Sequence, residues 1–265
     1  MIQSLNQETL KNYHMPLFIA EIKTNCDSWN DNSLEPYIFS RLINDCGLNK
    51  SVFDQVIYIL KSSLNPEKDV QLRSKFLLLI PEIFVTSKVK TEENENYLKS
   101  CLDVIISQMI LPNIVWKAGR TAGAVRMSAV ASLVLVLQSD LVKEIQLDQN
   151  TLNNLYKQMI STLDDENKST RLYVCKIFSL ILKNYGNQFD KDQLHKLYPE
   201  LIKRLDDQVE DIRHEILSLF SIYIDCLNKN YDNVLYQAHL QVIYENLLLY
   251  LDDSSLDIQL KVFGK

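Results

Sequence analysis

The chain has 265 residues, 46% of them hydrophobic and 23% charged, a mix that excludes a disordered polar chain because so much apolar surface offsets chain entropy only by burial. Its 5 glycines and 6 prolines are about a third of the usual share, which argues against a turn-rich β-sandwich and for an all-α chain. With 28 Lys and Arg against 34 Asp and Glu, the net charge of -6 disfavours nucleic acid as a partner, since phosphate binders concentrate cations.

The N-terminal stretch MIQSLNQETLKNYHMPLFIA has no basic segment followed by an unbroken apolar run, so it does not read as a secretory signal. The longest uncharged runs, Val104–Trp116 and Met127–Ser139, are 13 residues each, short of the ~18 to 20 that cross a bilayer. No membrane partner is expected. The 5 cysteines are widely spaced and include no C-x-x-C pair, which fits a reducing cytoplasmic location. Flanking apolar residues predict buried thiols at all of them except Cys26.

Six helical hairpins are predicted along one array, over approximately residues 4–48, 52–88, 95–140, 149–186, 191–229 and 234–265. Their clearest signature is an aliphatic-Tyr pair, at Leu155, Leu197 and Ile243, whose aliphatic lies eight residues before the Leu that precedes an Asp-Asp pair. The Asp pairs start at 164, 206 and 252, steps of 42 and 46 residues. In the fifth unit Leu194, Leu197, Leu201 and Leu205 form one apolar stripe, and Ile212, Ile216, Leu219 and Tyr223 form another. One hairpin cannot bury both stripes, whereas stacked hairpins can. The sixth hairpin is incomplete, so a fragment of a longer array is expected.

The Asp pairs fall between helices, where carboxylates accept hydrogen bonds from free N–H groups at the next helix start. Arg171 and Arg213 follow their Asp pairs by six residues, while the third copy carries Gln259. Asp165 with Arg171, and Asp207 with Arg213, are therefore predicted to form an ion-pair ladder along the stack. Earlier arginines, Arg73 in QLRSKFLLLI and Arg126 in VRMSAVASLVLVL, occupy comparable positions. Ten acids around the turns, from Asp164, Asp165 and Glu166 through Asp206, Asp207, Glu210 and Asp211 to Asp252, Asp253 and Asp257, are predicted to line one edge. Within that edge Asp206 and Asp252 are candidates for attracting a basic partner segment, against the simpler reading of a solvated rim.

The segment Trp116–Gly123, WKAGRTAG, joins the two helices of the third hairpin. Trp and Arg are enriched at binding hot spots, so Trp116, Lys117 and Arg120 are candidate partner-binding residues. The alternative is that Trp116 packs between hairpins while Gly119 and Gly123 let helices approach closely. The spacing of a phosphate-binding loop is absent. His14, His195, His214 and His239 have no second ligand at metal spacing, and no G-x-S-x-G elbow occurs. No catalytic residue, cofactor or metal site is predicted, and no enzyme.

Helical pairs of this length, with Pro199 in the first helix, Asp207 at the turn and Ile212-Arg213 in the second, resemble the HEAT repeat. The fourth unit lacks the proline, and the sixth lacks both proline and arginine. More narrowly, LPNIVWKAGRTAGAVRMSAV (Leu111–Val130), TRLYVCKIF, LYPELIKRLDD and IYENLLLYLDD resemble, in order and spacing, the C-terminal repeats of the HEAT-containing axonemal dynein assembly factors, over roughly residues 95 to 260. That resemblance implies an α-solenoid scaffold for cytoplasmic preassembly of dynein arms and ciliary motility. The partners it implies are dynein chains, chaperones or other assembly factors. A general HEAT adaptor, of nuclear-transport or phosphatase-scaffold type, is the alternative. The oligomeric state stays open.

Overall fold

Apolar residues spaced three to four apart, with few glycines or prolines to interrupt them, build helices throughout the described residues. The structure is a computed structural model that describes residues 9, 13–46, 50–85, 92–143, 145–230, 232 and 237–263, and no strand occurs among them. The chain divides into two compact units, Met1–Leu155 and Tyr156–Lys265. Hairpin starts expected near residues 4 and 234 lie outside the described residues, as does the side chain of Cys46.

The first unit contains α1 (Met15–Lys23), α2 (Glu35–Cys46), α3 (Lys50–Ser63), α4 (Val70–Val85), α5 (Glu92–Val104), α6 (Arg120–Gln138) and the single turn α7 (Asp140–Lys143). Alternate helices pack together: α1 on α3 and α3 on α5, with α2 on α4 and α4 on α6. First and second helices thus form two layers, and each helix is covered by its neighbours in the stack. Past α5 the chain widens into a π-helical stretch, Ile105–Ile110, then tightens into a 3-10 turn, Leu111–Asn113. Pro112, which lacks an N–H, stands where the regular ladder stops.

α6 reaches 19 residues because the helix continues through Arg126, beyond the uncharged run. It is then long and apolar enough to cross a membrane by length and composition alone. Ten of its residues are buried, including Arg126, Ser128 and Ser132, and it lies along α4, so its apolar character is spent on the core of this unit.

The helix α8 (Gln149–Thr162) leads into the second unit, which continues with α9 (Lys168–Tyr185), α10 (Lys191–Leu205), α11 (Glu210–Asn230), α12 (Gln237–Leu249) and α13 (Leu256–Phe263). Local signals set the helix starts. The Asn167 side chain accepts from the Ser169 and Thr170 N–H groups, and Asp190 forms a reciprocal capping box with Gln193. All eight stripe residues of α10 and α11 are buried, each aliphatic one contributing about 1.5 to 3 kcal/mol. The Tyr223 hydroxyl donates to the Leu194 carbonyl at 2.9 Å, tying α11 to α10. Again alternate helices stack, α9 on α11 and α11 on α13, with α10 on α12.

Cys26, Cys175 and Cys226 are buried free thiols and Cys101 is half-buried. Cys26, for which the flanking residues make no case for burial, is buried because the short 3-10 turn Cys26–Ser28 packs against α3. Burial pushes the Cys175 thiol up to about 12, with the nearby Glu215 charge adding to it.

Candidate functional site

Each Asp-Asp turn of the second unit follows one hydrogen-bond plan. The second aspartate accepts from the N–H two residues on: Asp165 from Asn167 at 2.8 Å, Asp207 from Val209 at 3.0 Å and Asp253 from Ser255 at 2.8 Å. Its main-chain carbonyl accepts from the side chain six residues on: Arg171 at 2.9 Å, Arg213 at 3.0 Å and Gln259 at 2.7 Å. The recurrent arginine therefore stabilises its own turn through a carbonyl oxygen, and glutamine does the same work in the last copy.

The charge of that arginine goes to the following copy. Arg171 Nε lies 2.7 Å from Asp207 Oδ2 and its Nη2 lies 2.9 Å from Oδ1, a bidentate fork. Arg213 repeats the contact with Asp253 more loosely, at 3.2 and 3.3 Å, and its Nε makes an ion pair there without hydrogen-bond alignment. This corrects the expected ladder: Arg171 and Arg213 each meet their own unit's aspartate at its carbonyl, and the forked ion pairs run Arg171–Asp207 and Arg213–Asp253. The first unit contains a version in which the arginine hydrogen-bonds to neutral acceptors. Arg73 donates to the Lys68 carbonyl at 3.1 Å and to Asn113 Oδ1 at 3.0 Å, and Asn113 returns hydrogen bonds to the Leu64 and Met109 carbonyls. Arg126 reaches the Lys117 carbonyl at 3.4 Å.

Arg204, in the last turn of α10, joins this network by pairing with both Asp164 and Asp207. Sequence reading passed over it because the other copies carry Thr162 and Tyr250 at that position. The available signal was a cation at a helix C-terminus. Burial alone would raise the Asp207 carboxyl. Hydrogen bonds from Arg171 and the Val209 N–H, with the charges of Arg171 and Arg204, overcome burial and hold it below the usual carboxylate range.

The acidic edge is thinner than expected. Asp165 and Asp207 are buried and Asp253 half-buried, because each folds back to cap its own turn. Asp164, Glu166, Asp206, Glu210, Asp211, Asp252 and Asp257 remain exposed. Asp206 and Asp252 thus both lie at the surface of the second unit.

In the first unit the WKAGR segment is an open loop. Trp116 is 63% exposed and Val115 50%, with Lys117 and Arg120 exposed beside them. Trp116 does not pack between hairpins. Gly119 has φ +102°, a left-handed conformation that glycine adopts without strain, and it precedes the first turn of α6. A Cβ there would meet nothing within 4 Å, and one at Gly123 would make an ordinary 3.9 Å contact with Arg126, so neither glycine serves close helix approach.

Two histidines that sequence spacing kept apart meet in the structure. His195 on α10 and His239 on α12 stack with ring centroids 4.0 Å apart, and their Nδ1 atoms are 3.2 Å apart. Tyr198 leans on the pair, 4.6 Å from the His239 ring. Burial lowers the pKa of His239, and the His195 charge lowers it further. Among the described residues no group of three or more His, Cys, Asp and Glu side chains gathers to hold a metal ion.

No protein-family model matches the chain. Among curated proteins it is similar to dynein axonemal assembly factor 5 of Mus musculus, 30% identical over 257 residues that cover 96% of this chain and 30% of the relative. It is 31% identical to that of Xenopus laevis over 263 residues, covering 98% of this chain and 31% of the relative. With that of Homo sapiens the identity is 29% over 248 residues, 93% and 29% of the two chains. The chain thus spans about a third or less of the length of these relatives. Among solved structures, a designed armadillo repeat protein in complex with peptide (KR)4 matches with TM-score 0.59 at 12% identity, covering 94% of this chain and 97% of that one. An archaeal HEAT-like repeats protein from Thermococcus onnurineus NA1 matches with TM-score 0.50 at 13% identity, covering 93% and 94%. These likenesses place the fold among the HEAT and armadillo α-solenoids.

Proposed function

Because the chain is a HEAT-type helical-repeat protein whose curated relatives are dynein axonemal assembly factor 5 proteins, we propose that it serves as a non-enzymatic scaffold in the preassembly of axonemal dynein arms. The single observation that carries this reading is the relatives' common name across nearly the whole of this chain. The work belongs in the cytoplasm, before transport of the arms into cilia, and ciliary motility depends on it. Dynein chains, with chaperones or other assembly factors, are the partners.

Extended repeat surfaces, and not a reaction cleft, then do the gripping. The exposed Trp116 with Lys117 and Arg120 supplies an aromatic anchor and cations of the kind found at binding hot spots. On the second unit, exposed Asp206 and Asp252 draw a basic segment of a partner, since aligned like charges speed its approach. That contact weakens with added salt and in D206N/D252N, and salt-independent binding would remove it. The test of the main reading is affinity purification of the tagged chain from ciliated cells during ciliary regrowth. Recovery of dynein chains supports it, whereas recovery of nuclear-transport cargo or phosphatase subunits favours a general HEAT adaptor.

A further inference from the structure

We infer that the loop of residues 115–120 docks an acidic segment of a protein partner, one that carries apolar side chains between its carboxylates. This deepens the partner-binding reading of the loop and rests on it. The charges point one way. No Asp or Glu occurs between Asp103 and Asp140, whereas Lys117, Arg120 and Arg126 all fall there, in a chain whose net charge is -6. Lys117 and Arg120 are exposed and make no ion pair among the described residues, unlike Arg171 and Arg213. Carboxylates are the groups that satisfy such cations. Beside them Val115 and Trp116, 50% and 63% exposed, offer an apolar contact that a purely charged ligand leaves unused.

The loop rises from a fixed base. Ile114 is fully buried, and Asn113 donates to the Leu64 and Met109 carbonyls. On the far side Arg126 reaches back from α6 to the Lys117 carbonyl at 3.4 Å. A loop anchored in this way has less freedom to lose on binding. Trp116 and Arg120 are four positions apart, at most about 14 Å of chain, so one short extended peptide can touch the ring and both cations. An anionic bilayer fits less well. Asn113 ties the loop to the turn of residues 64–69, which carries exposed Glu67 and Asp69. A broad negative surface meets those acids together with the loop and is repelled by them, whereas a narrow peptide passes beside them.

The test is fluorescence anisotropy of the purified full chain with short labelled peptides made of repeated Glu-Leu-Glu, Lys-Leu-Lys or Glu-Gly-Glu. The Glu-Leu-Glu peptide is expected to bind tightest and to weaken with added salt. W116A and K117E/R120E are each expected to lower its affinity about tenfold or more, and K183E, which reverses an exposed cation on α9, to leave it unchanged. A second readout needs no variant: Trp116 is exposed and Trp29, the other tryptophan, is buried, so the bound peptide should shield Trp116 from acrylamide quenching. Equal affinity for either of the other peptides, unchanged affinity in K117E/R120E, an equal loss in K183E, no shielding of Trp116, or tighter binding of the same loop to phosphatidylserine vesicles would overturn the proposal. No dynein enters these measurements, so their failure is read separately from a failure to capture dynein chains.

Discussion

Arg171 and Asp207, 36 residues apart, are locked in a two-pronged contact of 2.7 and 2.9 Å between successive helical pairs. Their side chains are only 14% and 2% exposed, so the pair sits where water screens it little. Removing Asp207 takes away the carboxylate that Arg171 pairs with, leaves Arg204 with Asp164 alone, and uncaps the Val209 N–H. D207A is therefore expected to cost about 3 to 5 kcal/mol in urea unfolding, the range for breaking one half of a buried pair. R171A costs less, because Arg204 still faces Asp207 at 3.3 Å. A loss below about 1 kcal/mol in D207A would place the pair in the class of surface ion pairs.

Acid should expose the same contact. Asp207 has a folded-state pKa held below that of the unfolded chain, so its stabilisation is complete above about pH 4 and is lost as pH falls through the depressed value. The stability gap between wild type and D207N is expected to be constant near neutrality and to shrink below about pH 4. A gap that persists unchanged into acid would mean that the charge on Asp207 is not what stabilises the stack.

Gly186 is fixed by close contact with Cys226. A Cβ at Gly186 would lie 2.5 Å from Cys226 Sγ, closer than real side chains approach. G186A is expected to destabilise by about 1 to 3 kcal/mol, the usual cost of overpacking. C226A removes the offending sulfur and leaves Cβ at an ordinary 3.7 Å, so the double variant should recover part of that loss. Additive effects in a double-mutant cycle would contradict this contact.

Burial and a pKa near 12 keep the Cys175 thiol protonated at neutral pH, and only the thiolate attacks alkylating agents. Iodoacetamide labelling of the folded protein, read by mass spectrometry, should modify half-buried Cys101 well before Cys175. Labelling of Cys175 at a comparable rate would show that the α9–α11 contact opens readily.

Much of the helical layering was legible because its cause is local. Leu194, Leu197, Leu201 and Leu205 repeat at helical spacing, and the Asp pairs mark the turns. The partner of each arginine was not, since a six-residue separation says nothing of which neighbour a guanidinium faces once its own turn's carbonyl has taken one N–H. Arg204 and the His195–His239 contact escaped for the same reason: stacking joins residues 40 and 44 positions apart. At Trp116 the residue types allowed either packing or exposure, and the choice is set by the tertiary stack, which leaves its ring at the surface.

The most direct test combines stability with capture. Trp116 and Arg120 lie on the surface, so W116A/R120A should melt within about 0.5 kcal/mol of the wild type. Expressed in ciliated cells during ciliary regrowth, that folded variant should lose the dynein chains recovered with the wild-type chain. Undiminished recovery of dynein chains by the variant, or their absence from the wild-type capture, would contradict a scaffold that grips its cargo through this loop.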